Sequence, residues 1–255
     1  MGLRAIVRPP GESYARALSA QEPRPGIDVA LARRQHAEYR AALQAAGVEL
    51  IELPPEEGHP DACFVQDTAV IWAGVAVIGR FGVGSRQGEQ DAVEQTLRVL
   101  RVLKVLKVPP PATLEGGDVL VVGSRVIVGL SARTNRAGFA QLRDLLELEG
   151  ASVEALPVPE GLHLLSGCTY LGQGVLLATD LYARLPAFAG LEAIRVPPDE
   201  AYAANALGVN GSVILPTGYP RTAARIRERG FQVQPVPLTE FAKADGGATC
   251  LALVV

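Results

Sequence analysis

Several scarcities bound what this chain can be. Its 255 residues hold three cysteines, Cys63, Cys168 and Cys250, far apart and odd in number. That excludes a disulfide framework and points to reduced thiols, and so to a cytoplasmic setting. There is no CxxC pair and no HxxxH spacing, hence no expected structural zinc. No stretch of about 18 uncharged apolar residues occurs, so nothing is expected to span a bilayer. The opening segment, Met1-Gly-Leu-Arg-Ala-Ile-Val-Arg-Pro-Pro, breaks after three apolar residues and lacks a signal peptide's core. Charge of one sign is lacking too: 24 Lys and Arg face 27 Asp and Glu, without a run that could track a phosphate backbone or an anionic membrane. Neither nucleic acid nor membrane is therefore an expected partner. A small molecule is.

What is abundant is Ala, Val, Leu, Gly and Pro, the make-up of a well-buried α/β protein. Strand signals come in pairs around a glycine turn, as in β-hairpins. Thr68 to Ile78 turns near Gly74, Val119 to Val128 at Gly123 and Ser124, Thr169 to Ala178 at Gly172 to Gly174, and Ala206 to Leu215 at Asn210-Gly211. The turns recur at roughly 40 to 50 residues, a spacing that signals repeats.

Helical stretches and a further short strand follow several of these hairpins. Gln87 to Leu103 carries Val93, Leu97, Leu100 and Leu103 at helical period, then Val105 to Val108. Thr134 to Leu148 puts Phe139, Leu142, Leu145 and Leu146 on one face, then Val153 to Leu156. Arg221 to Arg229 precedes Phe231 to Val236. A fifth unit is split between the two ends. Ala248 to Val255 and Leu3 to Arg8 each lack a neighbouring strand; pairing them completes a hairpin, with Asp28 to Ala46 as its helix and Val48 to Leu53 as its third strand. Five like units joined end to end remove exposed sheet edges by closing a ring. The expected fold is a single α/β domain over residues 1–255, a five-bladed ββαβ propeller with pseudo-five-fold symmetry, closed by the N- and C-terminal strands.

In four units the first hairpin strand follows a loop with a reactive or charged group. These loops are Asp61-Ala-Cys-Phe-Val-Gln-Asp, Leu114-Glu-Gly-Gly-Asp-Val with Glu115 and Asp118, Gly161-Leu-His-Leu-Leu-Ser with His163, and Asp245-Gly-Gly-Ala-Thr-Cys with Cys250. Rotation about a ring axis would bring all four to one end of the ring. A thiol, an imidazole and several carboxylates around one cavity suit a planar cation. Carboxylates match the N–H fork of a guanidinium, whose carbon then faces the sulfur at attack distance. The cation favours the thiolate, and the imidazole protonates the departing amine before activating water. Taken singly these residues are ordinary: cysteines are commonly core residues, and Cys63 and Cys168 are expected there. His36, on a charged helix, and His59, in a loop, are expected to be solvated. The shared position in different repeats is what singles out Cys250, His163, Glu115 and Asp67.

These segments, together with Gly84-Ser-Arg-Gln-Gly-Glu and Val128-Gly-Leu-Ser-Ala-Arg-Thr-Asn, resemble in order the dimethylarginine dimethylaminohydrolases, of the pentein or guanidino-group-modifying superfamily. The resemblance covers nearly the whole chain. It implies the five-bladed propeller and hydrolysis of methylated arginine to citrulline and a methylamine, with no metal or organic cofactor. It also implies roles. Cys250 would be the nucleophile and His163 the acid and base, with Glu115 and Asp67 holding the guanidinium. Arg86 and Arg133 would grip the substrate's α-carboxylate, and Asp61 and the backbone carbonyl of Leu18, in a mobile lid, its α-amine. Gln66 departs from the pattern, standing where relatives often carry Glu, and is expected in the substrate site. Deimination or amidino transfer on another arginine-like substrate, and, in a different class, non-catalytic binding of such a ligand or service as an assembly protein, are the alternatives. A thiolate beside an imidazole could take up zinc adventitiously, and an apolar ring exterior would suit a homodimer.

Overall fold

The structure is a computed structural model that describes residues 2–100 and 104–255. Strand β1 (Arg4–Val7), helix α1 (Val29–Ala45) and strand β2 (Glu49–Glu52) come first. The next unit is β3 (Ala69–Trp72), β4 (Val75–Ile78), α2 (Gln90–Leu100) and β5 (Lys104–Lys107). Two more follow: β6 (Val119–Val122), β7 (Arg125–Leu130), α3 (Arg136–Glu147) and β8 (Ser152–Pro157), then β9 (Cys168–Gly172), β10 (Val175–Ala178), α4 (Asp180–Ala183) and β11 (Glu192–Arg195). The chain continues through β12 (Leu207–Val209), β13 (Ser212–Pro216), α5 (Pro220–Glu228) and β14 (Gln232–Val236) to α6 (Thr239–Ala242) and β15 (Leu253–Val254).

These strands form five three-stranded sheets, each an antiparallel hairpin with a third strand parallel to the hairpin's second. Local sequence explains the alternation. A two-residue hairpin loop needs positive φ at both positions to match strand twist, and Ala73-Gly74 (43° and 84°) and Asn210-Gly211 (48° and 75°) supply it. A parallel neighbour needs a crossover, which a helix provides. Asp28 and Asn135 cap two of these helices, their side chains accepting from the Leu31 and Gly138 N–H groups at 2.9 and 2.8 Å. Each helix turns its apolar face onto a sheet: Val93 and Leu97 of α2, and Leu142 and Leu146 of α3, are fully buried. Leu103, expected on the α2 face, lies outside the described residues.

The split unit assembles as expected, since β1 pairs antiparallel with β15 (Ala5 with Val254, Ile6 with Leu253) and parallel with β2. Its last strand is shorter than the apolar run suggested. Only Leu253 and Val254 are strand, and Ala248 to Cys250 lie in tight turns. The fourth crossover, which carries no long helical pattern, consists of α4 and a single 3-10 turn at Pro186–Phe188. Pro186 cannot sit in a helix interior, so the helix stops before it.

One strand from each sheet reaches a common apolar cavity of about 180 Å³, lined among others by Val70, Leu120, Thr169, Gly208 and Leu253. Among the described residues no helix is long and apolar enough to cross a membrane. Cys63 and Cys168 are core residues as expected. His36 is not solvated. It is fully buried on α1, its ring 6.3 Å from those of Tyr39 and Phe241 with neither nitrogen hydrogen-bonded, because the helix turns this residue toward α6 instead of water.

Candidate active site

Three of the expected residues arrive on short 3-10 turns that immediately precede a hairpin strand. Val65–Thr68 delivers Asp67 before β3, Gly116–Asp118 follows Glu115 before β6, and Leu164–Ser166 follows His163 before β9. Cys250 occupies the corresponding place before β15. A second cavity, of about 260 Å³, gathers what these turns present: Cys250, His163, Asp67, Asp61, Arg86, Arg133 and Leu18 all line it. Glu115 sits directly behind, with no exposure, and reaches the cavity through its partners.

The contacts form one connected network. His163 Nε2 lies 2.8 Å from Glu115 Oε2. The Gly117 N–H donates to Asp67 Oδ1 at 3.1 Å. Arg86 Nη1 donates to both Asp67 Oδ2 (3.0 Å) and Glu115 Oε2 (3.3 Å), while its Nη2 and Nε donate to Glu89 Oε2 at 2.9 and 3.1 Å. Arg133 Nη1 donates to Glu115 Oε1 at 3.3 Å. The Leu18 N–H meets Asp61 Oδ1 at 3.0 Å, which brings the 12–20 segment over the cavity. Behind the imidazole, Asp118 accepts from the Leu164 N–H (3.0 Å) and the Ser131 hydroxyl (2.7 Å), fixing the turn that carries His163. Cys250 Sγ accepts from the Gly247 N–H at 3.4 Å.

Two glycines make this approach feasible. A Cβ at Gly116 would lie 2.1 Å from the Gln66 carbonyl oxygen, and one at Gly117 would lie 2.7 Å from Asp67 Oδ1 and 2.9 Å from His163 Cγ and Nδ1.

Electrostatics divide the labour. Burial alone would lower the His163 pKa, but Asp67, the bond to Glu115 and Asp118 together hold it above its ordinary value, so the ring is readily charged. Burial would raise Asp67, and His163 and Arg86 overcome it and hold the carboxyl below its usual range. Burial and then Asp67 push the Cys250 thiol up to about 11, against the pull of the Gly247 N–H, Thr249 and Asn205. The resting site thus pairs a neutral thiol with a proton-rich imidazole. Donor atoms of Asp67, Glu115 and His163 lie within 4.8 Å of one another, the place where a cation of any kind would be held. In this structure the Arg86 guanidinium lies against both Asp67 and Glu115, and that of Arg133 against Glu115.

Gln66 is placed apart from the other candidates. Its side chain lines the apolar cavity and its Oε1 is buried without a partner, while Asp67 lines the polar one. Neighbouring residues of the tight turn face opposite ways, so Gln66 meets the site only through its backbone, whose N–H donates to the Cys250 carbonyl at 3.2 Å. Three further residues support the site, of which only Asp118 stands among the loop acids singled out in the sequence. Glu89 closes the Gly84-Ser-Arg-Gln-Gly-Glu motif, and the i, i+3 spacing from Arg86 was a usable signal. Asp118 was visible as a charge next to two glycines. Asn205, whose Oδ1 accepts from the Thr249 N–H at 2.9 Å and whose Nδ2 lies 4.0 Å from Cys250 Sγ, stands in a stretch with no pattern to mark it.

Five small sheets built alike, and a cavity where a thiol, an imidazole and a set of acids converge from distant segments, are the marks of the pentein superfamily. Comparison with known proteins narrows this. A family model for "N,N dimethylarginine dimethylhydrolase, eukaryotic" matches residues 19–173. The N(G),N(G)-dimethylarginine dimethylaminohydrolase of Pseudomonas aeruginosa is 38% identical over 226 residues, 89% of each chain. Two solved structures superpose with a TM-score of 0.96 at 37% identity, each covering 100% of both chains. One is a dimethylarginine dimethylaminohydrolase with a histidine-to-glycine change in an adduct with S-methyl-L-thiocitrulline, the other a cysteine-to-serine mutant of the Pseudomonas aeruginosa protein complexed with citrulline. The chain belongs to the dimethylarginine dimethylaminohydrolase family.

Proposed function

We propose that this chain hydrolyses asymmetric dimethylarginine or monomethylarginine to citrulline and a methylamine, with Cys250 as nucleophile and His163 as acid and base. The observation that carries the reading is the meeting of Cys250 and His163 at one 260 Å³ cavity beside acids that already hold a guanidinium, that of Arg86. Adducts and complexes of relatives with S-methyl-L-thiocitrulline and citrulline support the substrate class.

The chemistry follows from the charges. A substrate guanidinium against Asp67 and Glu115 places positive charge beside Cys250 and lowers the thiol from about 11, so its proton leaves to solvent. The thiolate bonds to the guanidinium carbon. The imidazolium of His163 gives its proton to the departing amine as the C–N bond breaks, leaving a thiouronium on sulfur. A water then attacks that carbon, His163 takes one of its protons, and the carbon–sulfur bond breaks to release citrulline. The hydroxyl proton of the adduct restores the thiol. Glu115 orients the imidazole throughout, Asp118 holds its turn, and Asp61 and the 12–20 segment receive the α-amine.

We also infer a single domain in the form of a five-bladed ring, supported by the five strands that share the apolar cavity. A crystal structure in which β3, β6, β9, β12 and β15 do not surround one axis would refute it. Three free cysteines, all buried, fit a reducing compartment.

The test is direct. Purified protein with asymmetric dimethylarginine is expected to release citrulline and dimethylamine, and Cys250→Ser to release neither. No citrulline from any arginine derivative would sink the reading, and preference for unmethylated arginine would turn it into a deiminase.

A further inference from the structure

Arg86 holds a position at odds with a simple carboxylate grip. Its side chain is 4% exposed, and three of its faces are occupied: Nη1 by Asp67 and Glu115, Nη2 and Nε by Glu89, and the guanidinium plane by Phe81, 4.3 Å from the ring centroid. Asp67 and Glu115 are the acids assigned above to the substrate guanidinium. Two buried carboxylates this close repel each other unless a cation lies between them, and the chain supplies one of its own.

We propose that Arg86 is a tethered stand-in for the substrate guanidinium, and that its exchange makes the site select guanidines that also carry a carboxylate. The inference rests on the functional reading above. An incoming guanidinium takes Asp67 and Glu115 from Nη1. The freed Nη1 then needs an acceptor, because a buried guanidinium stripped of a partner is costly. An α-carboxylate on the same ligand supplies it, and the ligand's two charged ends replace the two ends of the contact they break. A guanidine without a carboxylate leaves Nη1 stranded and binds weakly. Glu89, fully buried and bonded only to the far edge of the guanidinium, keeps its hold in both positions and acts as the pivot. It is a positioning residue and touches no substrate.

Exchange and plain carboxylate binding predict opposite results for a ligand without a carboxylate. In wild-type protein, acetate supplied in trans would catch the displaced Arg86. Calorimetry should therefore show ethylguanidine binding tighter in saturating acetate than in chloride of equal ionic strength, by about 5- to 150-fold, the usual span of coupling between sites. In Arg86→Met, Asp67 keeps the Gly117 N–H and Glu115 keeps His163 and Arg133, but no Nη1 has to be displaced, so ethylguanidine should bind tighter than to wild type and acetate should have no effect. In kinetics, Arg86→Met should lower kcat/KM for asymmetric dimethylarginine and raise it for agmatine. If ethylguanidine binds wild type equally with and without acetate, or if Arg86→Met leaves or weakens its binding, Arg86 is only a carboxylate contact and the proposal fails. The binding arm needs no turnover, so loss of the enzymatic reading and loss of this one are separable. Should Arg86→Met not fold, the acetate coupling in wild type decides alone.

Discussion

Gly117→Ala tests how tightly the catalytic geometry is set. Gly117 does not require the left-handed backbone that alanine resists, so the substitution adds one methyl and little backbone strain. That methyl would lie 2.7 Å from Asp67 Oδ1 and 2.9 Å from His163 Cγ and Nδ1, whereas ordinary contact begins near 3.4 Å. The carboxylate must therefore move by 3.4 − 2.7 = 0.7 Å and the imidazole by 3.4 − 2.9 = 0.5 Å. A displacement of about 1 Å at a reacting group costs on the order of a hundredfold, so 0.5 to 0.7 Å corresponds to about 10- to 25-fold in kcat/KM. The loss should fall on kcat, because in the proposed mechanism the imidazole acts after binding. Citrulline release under single-turnover conditions measures it. Gly84→Ala, where a Cβ meets nothing within 4 Å, is the control and should match wild type. A Gly117→Ala enzyme with native kcat would mean that the site does not hold His163 and Asp67 as described.

Four further outcomes are expected. With its thiol near 11, about one Cys250 in ten thousand is ionised at pH 7 without ligand, so neutral chloroacetamide should label it slowly with no plateau below pH 10. The cationic 2-chloroacetamidine should label it far faster at neutral pH; equal rates would contradict the account of thiol activation. Gln66→Glu should leave KM for the methylated substrate unchanged while destabilising the fold by about 1 kcal/mol in urea unfolding, since the new charge enters an apolar cavity; a sharply lower KM would restore Gln66 to the site. His36, held at about 3 in the folded chain by burial and then by Arg40, against 6.5 when unfolded, contributes stability present above pH 6.5 and lost as pH falls. At pH 5 the loss is 6.5 − 5 = 1.5 pH steps, about 2 kcal/mol, so wild type should lose that much stability relative to His36→Leu between pH 8 and 5. His163 runs the other way. Its raised folded value gives stability complete below about pH 6.5 and lost as pH climbs through the folded value, so the excess stability of wild type over His163→Asn should shrink from pH 6 to 9.

The repeat was legible because its turns are chemically explicit. Asn210-Gly211 can hardly be anything but a tight hairpin, and the apolar spacing of α3 matches the buried faces of Leu142 and Leu146. The same spacing brought Cys250, His163, Asp67 and Glu115 to equivalent places before anything was known of their contacts. Orientation was less legible. Gln66 and Asp67 are adjacent, both polar, and end in different cavities, since a 3-10 turn gives no alternation rule as simple as a strand's. His36 looked solvated because Arg33, Arg34, Glu38 and Arg40 surround it in sequence, yet its own helical face is the one that packs against Phe241. The inward fold of Arg86 could not have been anticipated either, because it depends on Glu89, Asp67 and Glu115 coming from three different segments.

The pairing of β1 with β15 joins Ala5 to Val254, positions 249 residues apart. Among the strand pairings it closes the longest loop, and loop-closure entropy grows with loop length. The turn that bears Cys250 leads straight into that pairing. A refolding chain could therefore regain its helices and four of its sheets while still chemically inert, and the return of a reactive sulfur would time the final step of assembly.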